Sequence, residues 1–428
     1  MKSKYKETEV GLIPKDWNIK KLKEISTKIT DGDHLTPKRT TSGFYLLSAR
    51  NVKDSYIDLS DVDYVGEEEY HRMKNRCNPE YDDIMISCSG TIGRISRVPK
   101  NLKSVLVRSV ALIKLMKGDC SSGYVQYSLQ SNFGQKQINE SVNQGAQPNL
   151  FLNQINILSI PLPPTLAEQE AIAEVLSDTD ALITSLETTI QKKKLLKQGA
   201  MQELLTGKRR LPGFGGKGGM KDTEVGRIPE DWEVRKLGDV LKSNPKYGIN
   251  APATEKDDRY FNYLRITDID ENGKINFKDI CSVSHPLAKY FILNDNEIVF
   301  ARTGASVGKS YIHQLKNGTF VYAGFLIKLN IDSNSANAKY IFFLTQAKRY
   351  RNWIETNSAR SGQPGINGNQ IKEFTFPCPT TLAEQEAIAN LLTEMDEEIE
   401  GLENKLEKTK GIKQGLMQVL LTGKIRLV

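Results

Sequence analysis

Two stretches of the chain carry apolar residues at alternating spacings of four and three. In the first, Ile172, Leu176, Thr179, Ile183, Leu186 and Ile190 follow this rule; in the second, Ile388, Leu392, Met395, Ile399, Leu402 and Leu406 repeat it with cleaner apolar content. A period near 3.5 residues keeps one stripe on one side of a helix, which predicts a coiled-coil seam. Thr165 with Glu168, and Thr381 with Glu384, open the two stretches with the form of a capping box: a hydroxyl accepts from one free amide while the carboxylate reaches back to another. Gly207 and Gly423 suit the residue just past a helix end. Helices of about 40 residues would span roughly 60 Å at about 1.5 Å per residue. One such helix could bury its stripe on its own domain; two with matching stripes can bury them against each other, antiparallel. Gly199 and Gly415 interrupt the pattern at equivalent places, where glycine costs roughly 1 kcal/mol against alanine. They are expected to mark a close helix approach or a break.

Elsewhere the pattern shortens to runs bounded by polar turns. Residues 44–47, 83–86 and 105–107 in the first half, and 263–266, 298–300 and 325–329 in the second, read as strands. Helical interludes are expected at 124–138 and 338–353. IPLPP at 160–164 and PCP at 377–379 end each globule in extended chain. The expected fold is α+β: two mixed α/β globules in tandem, each followed by a long helix, the helices pairing as an antiparallel coiled coil about a pseudo-two-fold. The boundaries are 1–163 for the first globule, 164–211 for the first helix, 212–221 for a glycine-rich linker, 222–379 for the second globule and 380–428 for the second helix.

The tandem reading rests on direct repetition. TLAEQEAIA opens both long stretches at a displacement of 216 residues, and TEVGLIPKDWNIKKL from Thr8 matches TEVGRIPEDWEVRKL from Thr223 at ten of fifteen positions. Each stretch ends in LLTGK. The interiors of the globules have diverged further, so their surface chemistry is expected to differ within a shared fold.

Composition adds bounds. A chain of 428 residues with 39% apolar and 26% charged residues is ordinary for a globular protein. The net charge of +7 is compatible with an anionic partner such as DNA. Five scattered cysteines, never in CxxC spacing, argue against a zinc site or a disulfide framework and fit a reducing cytoplasm. No signal-peptide core or long apolar run is present, so no membrane association is expected.

Catalytic constellations are sparse. His34, His71, His285 and His313 stand alone, without metal-ligand spacing. Gly304-Ala-Ser-Val-Gly308-Lys309-Ser310 resembles a phosphate-binding loop, but only three residues separate its glycines where four are needed. Ser89 to Arg94 occupies the corresponding place in the first half. A strand-to-strand turn presenting a basic residue is the expected meaning; a nucleotide-binding enzyme is the alternative.

The assembled pattern resembles the specificity (S) subunit of Type I restriction-modification enzymes over essentially the whole chain. The resemblance rests on Leu166, Glu168, Gln169 and Ile172 with Leu382, Glu384, Gln385 and Ile388, on Ile13, Pro14, Asp16 and Trp17 with Ile228, Pro229, Asp231 and Trp232, and on the LLTGK endings. It implies a non-catalytic chain in which each globule reads half of a bipartite double-stranded DNA site. The helices would form a spacer on which two modification subunits dock, with S-adenosylmethionine on those partners and none in this chain. Restriction subunits would supply translocation and cleavage. A connector without DNA specificity is the competing reading.

Base reading needs Arg for guanine and Asn or Gln for adenine. Candidates in the first globule are His34, Thr36, Lys38, Arg39, Arg94, Gln144, Gln147 and Asn149; in the second, Lys246, Tyr247, Arg265, Arg302, Lys309, Arg360, Gln363 and Asn367. For each, an exposed loop residue is the alternative. The run Lys192-Lys193-Lys194 reads as a solvated helix face, with DNA phosphates as the alternative contact.

Overall fold

The structure is a computed structural model that describes residues 4–142, 148–215, 218–359 and 362–427. The chain divides into two compact units: one runs to Thr188 and takes in the chain again from Glu403, and the other is Thr189–Leu402.

The first unit is built on a four-stranded antiparallel sheet in the order Ser26–Asp31, Val110–Leu115, Ile84–Ser87, Ile95–Arg97. Successive residues of a strand point to opposite faces, and here both faces are covered. Ile84, Ile86, Ala111 and Ile113 join one core with Trp17, Tyr124 and Ile172. Met85, Val110 and Leu112 join another with Leu47 and Leu106. Those last two residues belong to a second four-stranded sheet, in which Ser104–Leu106 runs parallel to Phe44–Leu47.

The second unit repeats this plan. Its sheet has the order Lys246–Tyr247, Leu326–Leu329, Ile298–Ala301, Ser310–Ile312. Ile298, Phe300, Ile327 and Leu329 face a helical core, while Val299, Ala301 and Leu326 face a smaller one. Phe261–Leu264 pairs in parallel with Phe320–Tyr322, as its counterpart does in the first unit.

Each expected helical interlude is two helices. Ser122–Gln130 stops at Ser131, whose hydroxyl accepts from the Gly134 amide and starts Asn132–Ser141. Ala338–Gln346 and Lys348–Ser358 are separated at Ala347, whose backbone is extended and which offers no side-chain cap. A side chain that caps the next turn offers the backbone an alternative to continuing, and apolar spacing alone does not reveal it.

The long helices are Leu166–Leu204 and Leu382–Leu420, each 39 residues. Neither Gly199 nor Gly415 marks a break, because the helix runs on through both; neither marks a close approach, because a Cβ added at either would meet nothing within 4 Å. The seam positions do not share one environment. Ile172 and Leu176 lie in the first unit's globule core beside Leu420 and Leu421, and Ile388 and Leu392 in the second unit's core beside Leu204 and Leu205. These four positions are therefore domain core as well as stripe. Leu186, Ile190 and Ile399 are buried, and Ile183, Met395, Leu402 and Leu406 half-buried.

Ion pairs join helix segments within each unit. In the first, Lys413 meets Asp180 at 2.5 Å and Lys410 meets Glu187 at 3.0 Å. In the second, Lys197 meets Asp396 at 2.6 Å and Lys193 meets Glu398 at 2.7 Å. In both, one number rises as the other falls, so the paired segments run in opposite directions. Lys193 is thereby an ion-pair partner rather than part of a purely solvated face.

Candidate nucleic-acid interface

The repeated motifs meet each other. In the first unit the Arg426 guanidinium bonds Glu168, with one contact at 2.7 Å, and Asp16 at 3.1 Å, and lies over the Trp17 ring at 5.8 Å. In the second, Arg210 bonds Glu384 at 2.7 Å and Asp231 at 2.9 Å and lies over Trp232 at 5.4 Å. Glu168 is only 1% exposed and Glu384 3%; a carboxylate so buried needs a charged donor. Hydrogen bonding to Glu168 holds the Arg426 guanidinium above its ordinary range. Burial lowers that of Arg210, and its bonds to Asp231 and Glu384 more than offset this.

The expected capping box is therefore half formed. The Thr165 hydroxyl accepts from the Glu168 amide at 3.2 Å, and Thr381 from Glu384 at 3.4 Å, but both carboxylates serve arginine instead of reaching back. Gln169 ties the Ser121 amide to the Pro163 carbonyl, and Gln385 ties the Asn337 amide to that of Pro379. Gly423 and Gly207 have φ of +64° and +69°, and a Cβ on either would strike Pro14 or Pro229 at 2.5 Å. Only glycine tolerates both demands. One difference separates the nodes: Trp232 Nε1 donates to Glu384 at 3.3 Å, whereas Trp17 Nε1 is buried without a partner.

The divergent residues gather at the edge strand of each main sheet and the turn beside it. Asp31 and Tyr247 hold the same place, paired across Ala111 and Ile327 with Ile86 and Phe300. Gly32 and Gly248 follow them, where a Cβ would lie 2.2 Å from a neighbouring carbonyl oxygen. Cys88 donates its amide to Ser109 at 2.8 Å, and Arg302 donates to Phe325 at 3.0 Å.

In the first unit this corner is an ion network. Asp31 accepts from Arg76 at 2.7 Å and bonds His34 at 2.6 Å, while Arg72 meets Asp33 at 2.5 Å and Glu69 at 2.8 Å. Burial raises the Asp31 carboxyl, but the hydrogen bonds from His34 and Arg76 outweigh it and hold the group below the usual range. Arg108 stands beside this network, exposed, its amide donating to the Asp33 carbonyl at 3.0 Å. In the second unit the corner is aromatic: Arg302 lies over the rings of Tyr247 and Phe325.

The other candidates are placed as follows. Thr36 is exposed, Lys38 donates its amide to Glu69, Arg39 pairs with Asp63 at 3.2 Å and Arg94 with Asp54 at 2.5 Å. Asn149 bridges Ser89, and Gln144 and Gln147 lie outside the described residues. In the second unit the structure brings Lys246, Tyr247, Arg302, Gln363 and Asn367 together. Thr303 bridges Gly365, Gln363 packs on Gly304, and the Tyr247 hydroxyl accepts from Gly368 at 3.1 Å. Asn367 is also a helix cap, accepting from the amides of Asn369 and Gln370. Arg265 is apart, locked on buried Asp268 at 2.7 Å, and Lys309 pairs with Glu271 at 2.8 Å. Arg360 lies outside the described residues. Phe325 and Arg108 were not legible as site residues, because each sits in a run that reads only as strand or strand end.

The stretch from Gly304 to Ser310 joins two antiparallel strands, with no helix after it. A phosphate loop delivers its amides from a helix N-terminus, so this turn lacks that architecture. Among the described residues, no group of three or more His, Cys, Asp and Glu side chains is placed to hold a metal ion, and no helix is long and apolar enough to cross a membrane.

The chain belongs to the family described as Type I restriction modification DNA specificity domain, which matches it twice, over residues 14–197 and 229–409. It is a DNA specificity subunit of a type I restriction-modification system, with two target recognition domains in tandem. Among its relatives in Methanocaldococcus jannaschii, a protein provisionally named the type I restriction enzyme MjaX specificity subunit is 28% identical over 433 residues, covering 99% of this chain and 97% of that one. The MjaVIII specificity subunit of the same organism is 26% identical, covering 99% and 96%. The fold is that of the S subunit from M. genitalium, with a TM-score of 0.63 at 16% identity over 98% of this chain and 99% of that one.

Proposed function

We propose that the two globules read the two halves of one asymmetric, bipartite DNA site, and that the long helices pair as an antiparallel coiled coil that fixes the gap between the halves. The observation that carries this reading is the contrast within the duplication. The Arg–Glu–Asp–Trp node is kept in both units, while the sheet-edge corner is an ion network in one and an aromatic-clamped arginine in the other. A shared frame with different corners is what reading two different half-sites requires.

The chain itself is non-catalytic in this proposal. Two modification subunits dock on it and carry S-adenosylmethionine and the methyl transfer, restriction subunits join them, and the complex works in the cytoplasm. A rigid spacer lets both globules sit on one duplex only at a set separation.

The test is to reconstitute the chain with its modification subunit and map methylation across a genome. One asymmetric motif with a fixed gap is expected. Scattered or absent methylation would sink the proposal.

A further inference from the structure

Among the described residues, Arg302 is set apart from the other arginines brought near the candidate interface by combining two features: it has no carboxylate partner, and its guanidinium packs on two aromatic rings. Its guanidinium lies 5.0 Å from the Tyr247 ring centroid and 5.9 Å from that of Phe325. Its amide is held by the Phe325 carbonyl at 3.0 Å, and its carbonyl accepts from Ile366 at 2.9 Å. Tyr247 is pinned in turn by the Gly368 amide. Both rings remain substantially exposed, Tyr247 at 42% and Phe325 at 52%. Among the described residues Arg302 donates no side-chain hydrogen bond, and its Nε is buried without a partner. The two Nη groups are left as the accessible end of the side chain.

An arginine built for a phosphate does not need this. A phosphate accepts from many directions, and a lysine serves as well as a point charge. With two rings packed on the guanidinium and Nε closed off, the two Nη groups of the planar fork are left as a pair of donors. That pair matches the O6 and N7 acceptors of guanine in the major groove. The equivalent place in the first unit holds Cys88 beside Asp31 and Ser109, and the guanidiniums that reach this corner, those of Arg72 and Arg76, are paired with carboxylates.

Resting on the DNA-reading proposal above, we infer that Arg302 reads a guanine in the half-site of the second unit, with Tyr247 and Phe325 as positioning residues, and that the first unit's half-site has no equivalent contact. The guanine is recognised by its two acceptors, so adenine, which offers N6 as a donor in place of O6, is rejected at that position.

The experiment uses the full chain in complex with its modification subunit and maps methylated sites for wild type, Arg302→Ala and Arg302→Lys. Wild type is expected to need a G·C pair at one position of one half-site. Both variants should keep the gap and the other half-site while discrimination at that position falls roughly 5- to 150-fold. The unchanged half-site shows in the same data that the chain is folded, and if Arg302→Ala abolishes methylation altogether, Arg302→Lys decides. A wild-type motif in Arg302→Ala overturns the inference. So does a Lys variant that keeps the full motif while the Ala variant weakens all sites equally, since that pattern marks a phosphate contact. A wild type with no bipartite motif overturns the underlying proposal, and this inference with it.

Discussion

The corner at Asp31 and the corner at Tyr247 occupy the same place on the same sheet and share almost no chemistry. At the first, carboxylates, a histidine and two arginines satisfy one another; at the second, one arginine packs on two rings without a carboxylate partner among the described residues. The nodes at Arg426 and Arg210 behave in the opposite way, repeating nearly every bond. Duplication has thus separated two kinds of residue. Those that hold a unit together stay the same because the buried carboxylate allows little else, whereas those at the corner vary because the fold does not depend on them.

The largest effect should come from breaking the shared part. Arg426→Ala takes the charged partner from buried Glu168, and Arg210→Ala takes it from Glu384, which keeps the Trp232 indole; each should cost roughly 3–5 kcal/mol in urea denaturation, with similar losses for the two. Unequal losses would show that the nodes are not equivalent. The one visible difference gives a finer contrast. Trp232→Phe removes a bond to a charged group that Trp17→Phe does not, so it should cost about 1.5–3 kcal/mol more.

Arg265 and Arg302 are both candidate arginines of the second unit, and they should part company. Arg265→Ala takes the charged partner from buried Asp268, which keeps only the residue-265 amide and the Thr267 hydroxyl, and should lower stability by about 1–3 kcal/mol while leaving the methylated motif unchanged. A relaxed motif in Arg265→Ala would place base reading outside the corner.

A smaller contrast depends on pH. His313 and Val98 hold equivalent places, each donating its amide to a neighbouring strand at 2.8 Å. His313 is fully buried, with Nε2 unpartnered, and burial holds its imidazole below the ordinary value despite the opposing charges of Asp295 and Glu297. The unfolded chain therefore binds a proton more readily than the folded one. Its stabilising contribution is full above about pH 6.5 and is lost as the pH falls from there toward the depressed folded value. The midpoint of unfolding should drop between pH 7 and pH 5, and His313→Val should flatten that slope. An unchanged slope would assign the acid sensitivity to other groups. The smallest effects belong to the helices: Gly199→Ala and Gly415→Ala should each stabilise by up to roughly 1 kcal/mol, because both glycines are exposed and meet no neighbour.

Much of the frame was legible in the sequence. Repeated motifs gave the duplication, and apolar periodicity placed the long helices and strands such as 44–47 and 298–301 within a residue or so. What periodicity missed was decided by side-chain hydrogen bonds, as at Ser131, or by partners far along the chain, as when Glu168 meets Arg426 instead of its own cap. The candidate interface was legible by residue type alone. Type could not separate Arg302 from Arg265, since the difference lies in what each touches. Nor could it find Phe325, whose exposure follows from the turn at Ala323 and Gly324 rather than from the apolar run it begins.

If the frame is interchangeable and the corners read the DNA, a globule carries its half-site with it when it is moved. Replacing residues 222–379 by residues 7–163, within the full chain and in complex with the modification subunit, tests it directly through the methylated motif. A motif with two identical half-sites and an essentially preserved gap is expected. A motif that stays asymmetric, with the original second half-site intact, would contradict it.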